Sequence, residues 1–185
     1  GNVREVLDNA LHSNIPIVYL KDLNPSPYSD DCLRTYDKKR AIYATEIATY
    51  LSKTTIGEKI MIVAPYRGMA SQIRYMLNQM NQIIGVDKKR VDVRTAHSAL
   101  GTDADIVIAV LGKEKGIRGG KTIYYNIPQA LNVQLSRHKK MLIIIGNFDV
   151  VVKTASKLKG YKFLTKIQNA IERLKKKDLI IIKEV

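Results

Sequence analysis

Short runs of β-branched residues recur along the chain, and amphipathic stretches separate them. The runs at 15–20 and 60–64 do not alternate apolar with polar residues, which is typical of strands that are buried on both faces of a sheet. Strands that alternate with helices predict βαβ units and a mainly parallel sheet, so we expect an α/β fold. The predicted strands are 15–20, 60–64, 91–95, 105–111, 141–146 and 179–182, with a weaker candidate at 122–125.

Apolar residues at helical spacing predict the helices that lie between these strands. The methionines of the second helix, Met69 and Met80, are interpreted as core filler in preference to a binding surface. We expect loops at 24–36, which is polar and contains proline, and at 112–121, which is rich in glycine and basic. Neither an internal repeat nor an interdomain linker is evident, so we predict a single domain over residues 1–185. The predicted helices are 44–51, 69–84 and 163–174.

The charge balance favours polyanionic partners. The chain carries 31 Lys and Arg residues against 17 Asp and Glu residues, a formal net charge of +14. Such an excess attracts nucleic acids, since bound cations release counterions from the phosphate backbone. Residues 153–177 contain nine basic residues and one acid, Glu172. This segment is either a solvated, lysine-rich helix face or part of a polyanion-binding surface.

Cysteine usage and hydropathy argue against secreted and membrane proteins. Cys32 is the single cysteine, so an internal disulfide is impossible and a reducing, cytoplasmic or other intracellular compartment is expected. No apolar run approaches the ~18 residues that a transmembrane helix requires, and the first residues lack the apolar core of a secretion signal. The three histidines and Cys32 show no metal-ligand spacing, so no metal site is expected within this chain.

A glycine-rich segment at 116–122 ends in the Gly-Lys-Thr of a phosphate-binding loop. That loop needs G-x-x-x-x-G-K-[ST] ahead of a helix, so that successive backbone amides wrap the phosphates. Here Lys115 occupies the position of the first glycine, and the strand-like residues 123–125 follow the segment. The sequence therefore predicts no triphosphate cradle in this chain, and an ATPase would need a second domain.

Three segments that we expect to follow strands carry polar residues in a specific order. Parallel sheets bind ligands at the carboxyl ends of their strands, so residues just after each strand are candidates for a site. The segments are IVAPYRGM at 62–69, VRTAHSALGTDADIVI at 93–108 and ALNVQLSRHKK at 130–140. In order and spacing they resemble motifs IV, V and VI of superfamily 1 helicases, in the branch of the nonsense-mediated-decay helicase. Residues 40–47 resemble the helix that precedes motif IV, so the resemblance covers roughly residues 15–150.

The resemblance implies a RecA-like three-layer α/β/α domain with a mainly parallel sheet. In this family two RecA-like domains hold ATP and Mg²⁺ between them and move along single-stranded DNA or RNA. The first domain carries the phosphate loop and the magnesium-binding acids, and we expect residues 1–185 to be the second domain without it. The expected partners are therefore single-stranded nucleic acid and a first RecA-like domain.

The resemblance assigns four residues to the nucleotide. Arg137 matches the motif VI arginine, which stabilises charge that develops on the γ-phosphate, so it is the predicted catalytic residue. Arg67 is a second nucleotide-facing candidate, and Asp103 matches the acid near the nucleotide sugar. Gly101 allows close approach of the backbone. The alternative for Arg137 is a surface arginine that follows a short helix.

Motif V also assigns residues to the nucleic acid. Thr95 is expected to hydrogen-bond a backbone phosphate with Ser98 near it, while His97 is either structural or couples the two sites. Leu100 and Met69 depart from the family, because they stand where it has polar residues. They favour the alternative of a non-catalytic nucleic-acid-binding module. A third interpretation is a small-molecule enzyme with a flavodoxin-like sheet.

Overall fold

The structure is a computed structural model that describes residues 2–25, 37–84, 89–112, 128–154 and 161–185. The strand candidate at 122–125, the glycine-rich segment and most of the predicted loops lie outside these ranges. The described strands form one six-stranded sheet in which every pairing is parallel, as the sequence predicts. They are β1 (Ile17–Lys21), β2 (Ile60–Ala64), β3 (Val91–Thr95), β4 (Ala104–Val110), β5 (His138–Gly146) and β6 (Ile180–Glu184).

Helices precede or connect these strands. The second helix is capped by Asp37, whose side chain accepts a hydrogen bond from the backbone N–H of Arg40 at 3.1 Å. Such a cap satisfies one of the N–H groups that a helix start leaves without a partner. The described helices are α1 (Asn2–His12), α2 (Lys38–Thr54), α3 (Arg67–Ile84), α4 (Pro128–Ser136), α5 (Phe148–Thr154) and α6 (Tyr161–Lys176).

Helices cover both faces of the sheet, which gives the three layers of a RecA-like α/β/α domain. Successive strand residues point to opposite faces. Val18 and Leu20 pack with α1, α2 and α3, whereas Tyr19 packs with α4, α5 and α6. The central strands are therefore apolar at nearly every position, since each of their side chains enters one of the two cores.

The order of the strands, β3-β2-β4-β5-β1-β6, places two crevices at the carboxyl edge of the sheet. Neighbouring strands β1 and β5 are followed by helices on opposite faces, α2 after β1 and α5 with α6 after β5. Neighbouring strands β2 and β4 are also followed by helices on opposite faces, α3 after β2 and α4 after β4. Ligands of open parallel sheets ordinarily bind at such switch points.

The six stronger strand predictions are confirmed, and the three predicted helices lie within α2, α3 and α6. Strand β5 begins earlier than predicted, at His138, because that residue pairs with Ala104 of β4. Helices α1 and α5 are not among the predicted elements; α5 has seven residues, too few to establish a helical period. Across the described ranges, no helix combines the length and apolar character needed to cross a membrane.

Candidate functional site

Arg137 lies at the amino edge of the sheet, between α4 and β5, so the expectation that its segment follows a strand is wrong: helix α4 comes before Arg137 and the strand after it. Its carbonyl accepts a hydrogen bond from the N–H of Ala104, the first residue of β4, at 3.0 Å. Its side chain is 26% exposed, and Nη1 lies 3.8 Å from Oδ1 of Asp103. Its Nε is buried and makes no hydrogen bond within the described part of the chain. The guanidinium therefore has donors to offer to a further acceptor.

Four other described arginines donate to oxygen atoms of the chain itself. These arginines brace helix ends, loops and strand ends, so their donors are already occupied. Leaving a buried donor without an acceptor is unfavourable, and a native protein that does so at one arginine requires an explanation. An anion bound at Arg137 supplies one. The arginines with such bonds are Arg40, Arg74, Arg90 and Arg94.

Asp103 and His138 are the polar neighbours of Arg137 at this edge. Asp103 is half-exposed and forms the ion pair, so the structure brings these two predicted site residues together. His138 is half-buried, and its Nδ1 is buried without a hydrogen-bond partner among the described residues. Burial lowers the pKa of His138, so the ring is neutral near pH 7 and does not repel the adjacent guanidinium. Gly101, two positions before Asp103, has φ +73°, a conformation that favours glycine.

Thr95 and Ser98 form a closed turn at the carboxyl end of β3. The Thr95 N–H donates to the Ser98 hydroxyl at 2.9 Å, and the Ser98 hydroxyl donates to the Thr95 carbonyl at 3.2 Å. Arg94 donates to the Ser98 carbonyl at 3.0 Å, which fixes the turn to the strand. His97 lies at the exposed tip of this turn. The two hydroxyls that the sequence predicts at the nucleic acid are thus held together.

Arg67 belongs to the same edge as Thr95. It is the first residue of α3 and is exposed, three positions after Ala64 of β2. Ala64 pairs with Thr95 in the sheet. The structure therefore groups Arg67 with the predicted nucleic-acid residues and does not place it beside Arg137.

The two groups of predicted residues are separated by the length of the strands. Thr95 of β3 pairs with Ala64 of β2. The residue before Ala64, Val63, pairs with Ala109 of β4, so Thr95 is level with the carboxyl end of β4. Arg137 is fixed to Ala104, about six residues back along β4. At a rise of about 3.3 Å per residue, the two levels differ by about 20 Å. The loop 96–103 starts at the first group and ends at the second.

The crevice between β2 and β4 is filled by Gln134 of α4. Its side-chain amide donates to the carbonyls of Val63 and Val110, both at 2.8 Å, where the two strands separate. Gln134 is fully buried. Sequence reasoning missed this role, although a glutamine among the apolar residues of the short helix LNVQL is a visible signal. The Gln134 amide therefore occupies the carbonyl acceptors at this switch point.

The crevice between β1 and β5 is filled by an ion pair between Asp22 and Arg40. Both side chains are 1% exposed, and Nε of Arg40 lies 3.1 Å from Oδ2 of Asp22. Arg40 also donates to the carbonyls of Leu111 and Gly112, at 2.9 and 3.1 Å. Lys39 donates to the other oxygen of Asp22 at 2.6 Å. Burial raises the pKa of Asp22, but the bond from Lys39 and the charge of Arg40 outweigh burial and hold the pKa below its ordinary value.

The two residues that depart from the helicase pattern differ in their surroundings. Met69 is buried in the core against α2, as its interpretation as core filler predicts. Leu100 is 57% exposed in the loop 96–103. In the described residues no group of three or more His, Cys, Asp or Glu side chains has the arrangement of a metal site.

Two comparisons with known proteins bear on this geometry. Residues 13–149 match the model of the AAA domain family. The chain is also 33% identical, over 111 residues, to the ATP-dependent helicase upf1 of Schizosaccharomyces pombe. This alignment covers 59% of the chain and 12% of the relative, so the chain spans about an eighth of the length of the curated relative it matches. The predicted resemblance to the superfamily 1 helicases of this branch is thereby confirmed.

Proposed function

The chain belongs to the AAA domain family, and we propose that it is the second RecA-like motor domain of an ATP-dependent superfamily 1 helicase. In this proposal a first RecA-like domain holds most of the nucleotide. This chain supplies the arginine finger and part of the track for single-stranded DNA or RNA. Residues 1–185 then form one domain, and the first domain is its partner.

The observation that carries the proposal is the unused donor capacity of Arg137. A guanidinium is planar, permanently charged and rich in donors, which suits it to phosphate oxygens. Nε of Arg137 is buried without an acceptor in the described residues, and its ion pair with Asp103 is long, at 3.8 Å. A γ-phosphate presented by another domain would accept a hydrogen bond from Nε and would add a closer negative charge than Asp103 supplies. The backbone bond to β4 fixes the main chain of Arg137, and the ion pair with Asp103 holds its side chain at this edge before the reaction starts.

The chemical role of Arg137 follows from the charge that phosphoryl transfer develops. As the bond to the γ-phosphorus breaks, negative charge grows on the phosphoryl oxygens and on the leaving oxygen. Arg137 stabilises this charge more than that of the bound substrate, which lowers the barrier. Mg²⁺ would supply further positive charge to the same phosphates. We assign its acidic ligands to the first domain, and Asp103 to the surroundings of the nucleotide.

The track in this proposal lies at the opposite edge, where Thr95, Ser98 and His97 form one turn. Its hydroxyl groups suit phosphate oxygens, and the exposed Arg67 at the same edge offers a charge to the same backbone. The loop 96–103 joins this turn to Asp103 beside Arg137. If a bound nucleic-acid strand shifts this turn, the loop would displace Asp103, the ion-pair partner of Arg137. We propose that this loop couples ATP hydrolysis to movement.

The test is the Arg137→Ala substitution in a protein that contains both motor domains. We expect nucleic-acid-stimulated ATP turnover to fall by about 10³-fold or more, the range known for arginine fingers. The Michaelis constant for ATP should change little, because the interaction is made chiefly in the transition state. Steady-state ATPase assays with saturating oligonucleotide measure both quantities.

A matched control is Arg74→Ala, which removes the same charge from an exposed arginine. The Arg74 guanidinium is already engaged with the Val93 carbonyl, at 2.7 Å. Turnover of the control should stay near that of the unmodified protein. If Arg137→Ala also retains that turnover, Arg137 is not the finger.

A non-catalytic nucleic-acid-binding module is the second candidate function. Met69 favours it, because its burial in the core removes the polar contact that the helicase pattern makes at that position. This candidate predicts oligonucleotide binding without stimulated ATP turnover in the protein with both domains. Stimulated turnover that depends on Arg137 would exclude it.

A further inference from the structure

Helix α6 has an apolar face toward the sheet and a basic face toward solvent. Leu164 and Ile171 are buried against the sheet, and Phe163, Ile167 and Leu174 pack beside them. On the opposite side, basic residues follow one another at intervals of three, four and seven positions, which aligns them along the helix. We call these five residues the α6 stripe: Lys162, Lys166, Arg173, Lys176 and Lys177, all of them exposed.

No side chain of the α6 stripe has a carboxylate partner within the described residues. The acid of this helix, Glu172, lies off the stripe and pairs with Lys175 at 3.6 Å. Some basic residues elsewhere in the fold do have such partners, as Lys21 has in Asp149 at 2.5 Å. The α6 stripe therefore leaves five positive charges on one surface without compensation.

The amino-terminal part of the arrangement is unfavourable for the helix by itself, whereas the helix dipole favours the cations of the last turn, Arg173 and Lys176, and Lys177 directly follows the helix. Lys162 and Lys166 are like charges four residues apart, and such pairs destabilise a helix. Lys162 also lies in the first turn, where the helix dipole disfavours a cation and where the described helix has no acid. A helix face that only contacts water stays soluble with charges of both signs. The pattern is explained by a ligand that compensates the charges.

The shape of the α6 stripe fits an extended chain of phosphates. From Lys162 to Lys177 it runs for about 22 Å, at 1.5 Å per residue. That is the length of about six nucleotides of one strand at 3.4 Å each. Helix α6 packs over β1 and β6, while the turn at Thr95 follows β3 at the other end of the sheet. Five strand spacings of about 4.8 Å put roughly 24 Å between these two parts of the domain.

We propose that the α6 stripe is a second nucleic-acid-binding surface, which holds the phosphate backbone outside the track at Thr95. The choice of nucleic acid as the polyanion rests on the proposed function. Long lysine side chains contact phosphates without reading bases, so the surface binds without sequence preference. It adds contact length to the track and lowers the rate at which the domain leaves the strand.

The test uses the 185-residue chain and a fluorescein-labelled single-stranded 20-mer, with anisotropy measured from 50 to 300 mM salt. Each phosphate contact on a single strand contributes about 0.7 to the slope of log K against log salt. Four lost contacts should reduce the slope by about 2 to 3 and weaken binding at least tenfold at 150 mM salt. The variant carries Lys162→Gln, Lys166→Gln, Arg173→Gln and Lys177→Gln.

A control variant removes four charges outside α6. It separates the α6 stripe from the effect of net charge, and circular dichroism confirms that both variants stay folded. A slope near that of the unmodified chain is expected for the control. Equal losses in the two variants, or no loss in the stripe variant, would overturn the inference. The control carries Lys38→Gln, Lys53→Gln, Lys59→Gln and Lys183→Gln.

Two further measurements separate this inference from its alternatives. Thr95→Ala with Ser98→Ala tests the track: if it weakens binding while the stripe variant does not, the inference fails and the proposed function stands. Phosphatidylserine vesicles test the identity of the polyanion. If vesicles bind the unmodified chain as tightly as the oligonucleotide and also lose binding in the stripe variant, nucleic acid is the wrong partner.

Discussion

The Asp22→Asn substitution removes the negative charge from a buried side chain that pairs with two cations. Breaking a buried ion pair by removing one partner ordinarily destabilises a protein by about 3–5 kcal/mol. The lower end applies here, because Arg40 keeps its two carbonyl acceptors and Lys39 can turn to solvent. We therefore expect a loss of about 3 kcal/mol in the free energy of unfolding. With a urea slope of about 3 kcal/mol/M, the unfolding midpoint should fall by about 1 M.

Low pH should abolish the difference between the two proteins. The pKa of Asp22 is held below its ordinary value of 3.8, so its stabilisation is complete above that value and is lost as pH falls through the folded pKa. Urea unfolding at pH 7, 5 and 3 measures this trend. A loss below about 1 kcal/mol at pH 7 would refute the reasoning. The double variant Asp22→Asn with Arg40→Leu is a second check. If its loss in the free energy of unfolding equals the sum of the two single losses, the reasoning is also refuted, because the effects of coupled partners are not additive.

Two further predictions concern the ends of β5. Gly146→Ala should destabilise the domain by about 1–3 kcal/mol, because the added methyl would lie 2.6 Å from Cβ and from Cγ of the buried Leu111. The loss should be smaller in a Leu111→Ala background, which lacks Cγ, and full stability of the single variant would contradict the contact. His138→Gln should flatten the pH dependence of unfolding below pH 6.5, since burial lowers the pKa of His138 and stability falls as the unfolded chain takes up a proton there. Urea midpoints at pH 7.5, 6.5 and 5.5 test this, and parallel curves for the two proteins would contradict it.

The sheet was predictable because most of its strands contain apolar runs, while β3 places β-branched residues at every second position. Strands β2 and β3 have the predicted ends, 60–64 and 91–95, since each run is bounded by polar or turn residues. Helix α5 could not be predicted in the same way, because seven residues give fewer than two turns of periodicity. Helix α1 was also not predicted, although it is amphipathic. Its apolar face packs against β1 and β6.

Buried polar residues set the limit of prediction at the candidate site. Nothing local marks Arg40 as buried, since its partner Asp22 lies 18 positions earlier and becomes a neighbour only when α2 packs over the sheet. Gln134 meets its two carbonyl partners in the same indirect way, through strands 71 and 24 positions away. A rule that searches the carboxyl ends of strands finds Arg67 and Thr95. It does not find Arg137, which the motif resemblance supplied and which lies at the other edge.

The placement of these residues explains why a sheet of this topology would depend on a partner for its nucleotide. Both switch-point crevices, where a self-contained α/β protein binds its ligand, are filled by side chains that bond to carbonyls at strand ends. Gln134 and Arg40 stabilise the sheet at the position that a nucleotide would otherwise occupy. The unused donor lies instead on Arg137 at the amino edge, beside the exposed Asp103. Under the proposed function, a single partly exposed arginine cannot enclose a triphosphate, so this edge would need a second surface to close over it. The flavodoxin-like interpretation needs a deep pocket at the carboxyl edge, and the filled crevices argue against that arrangement.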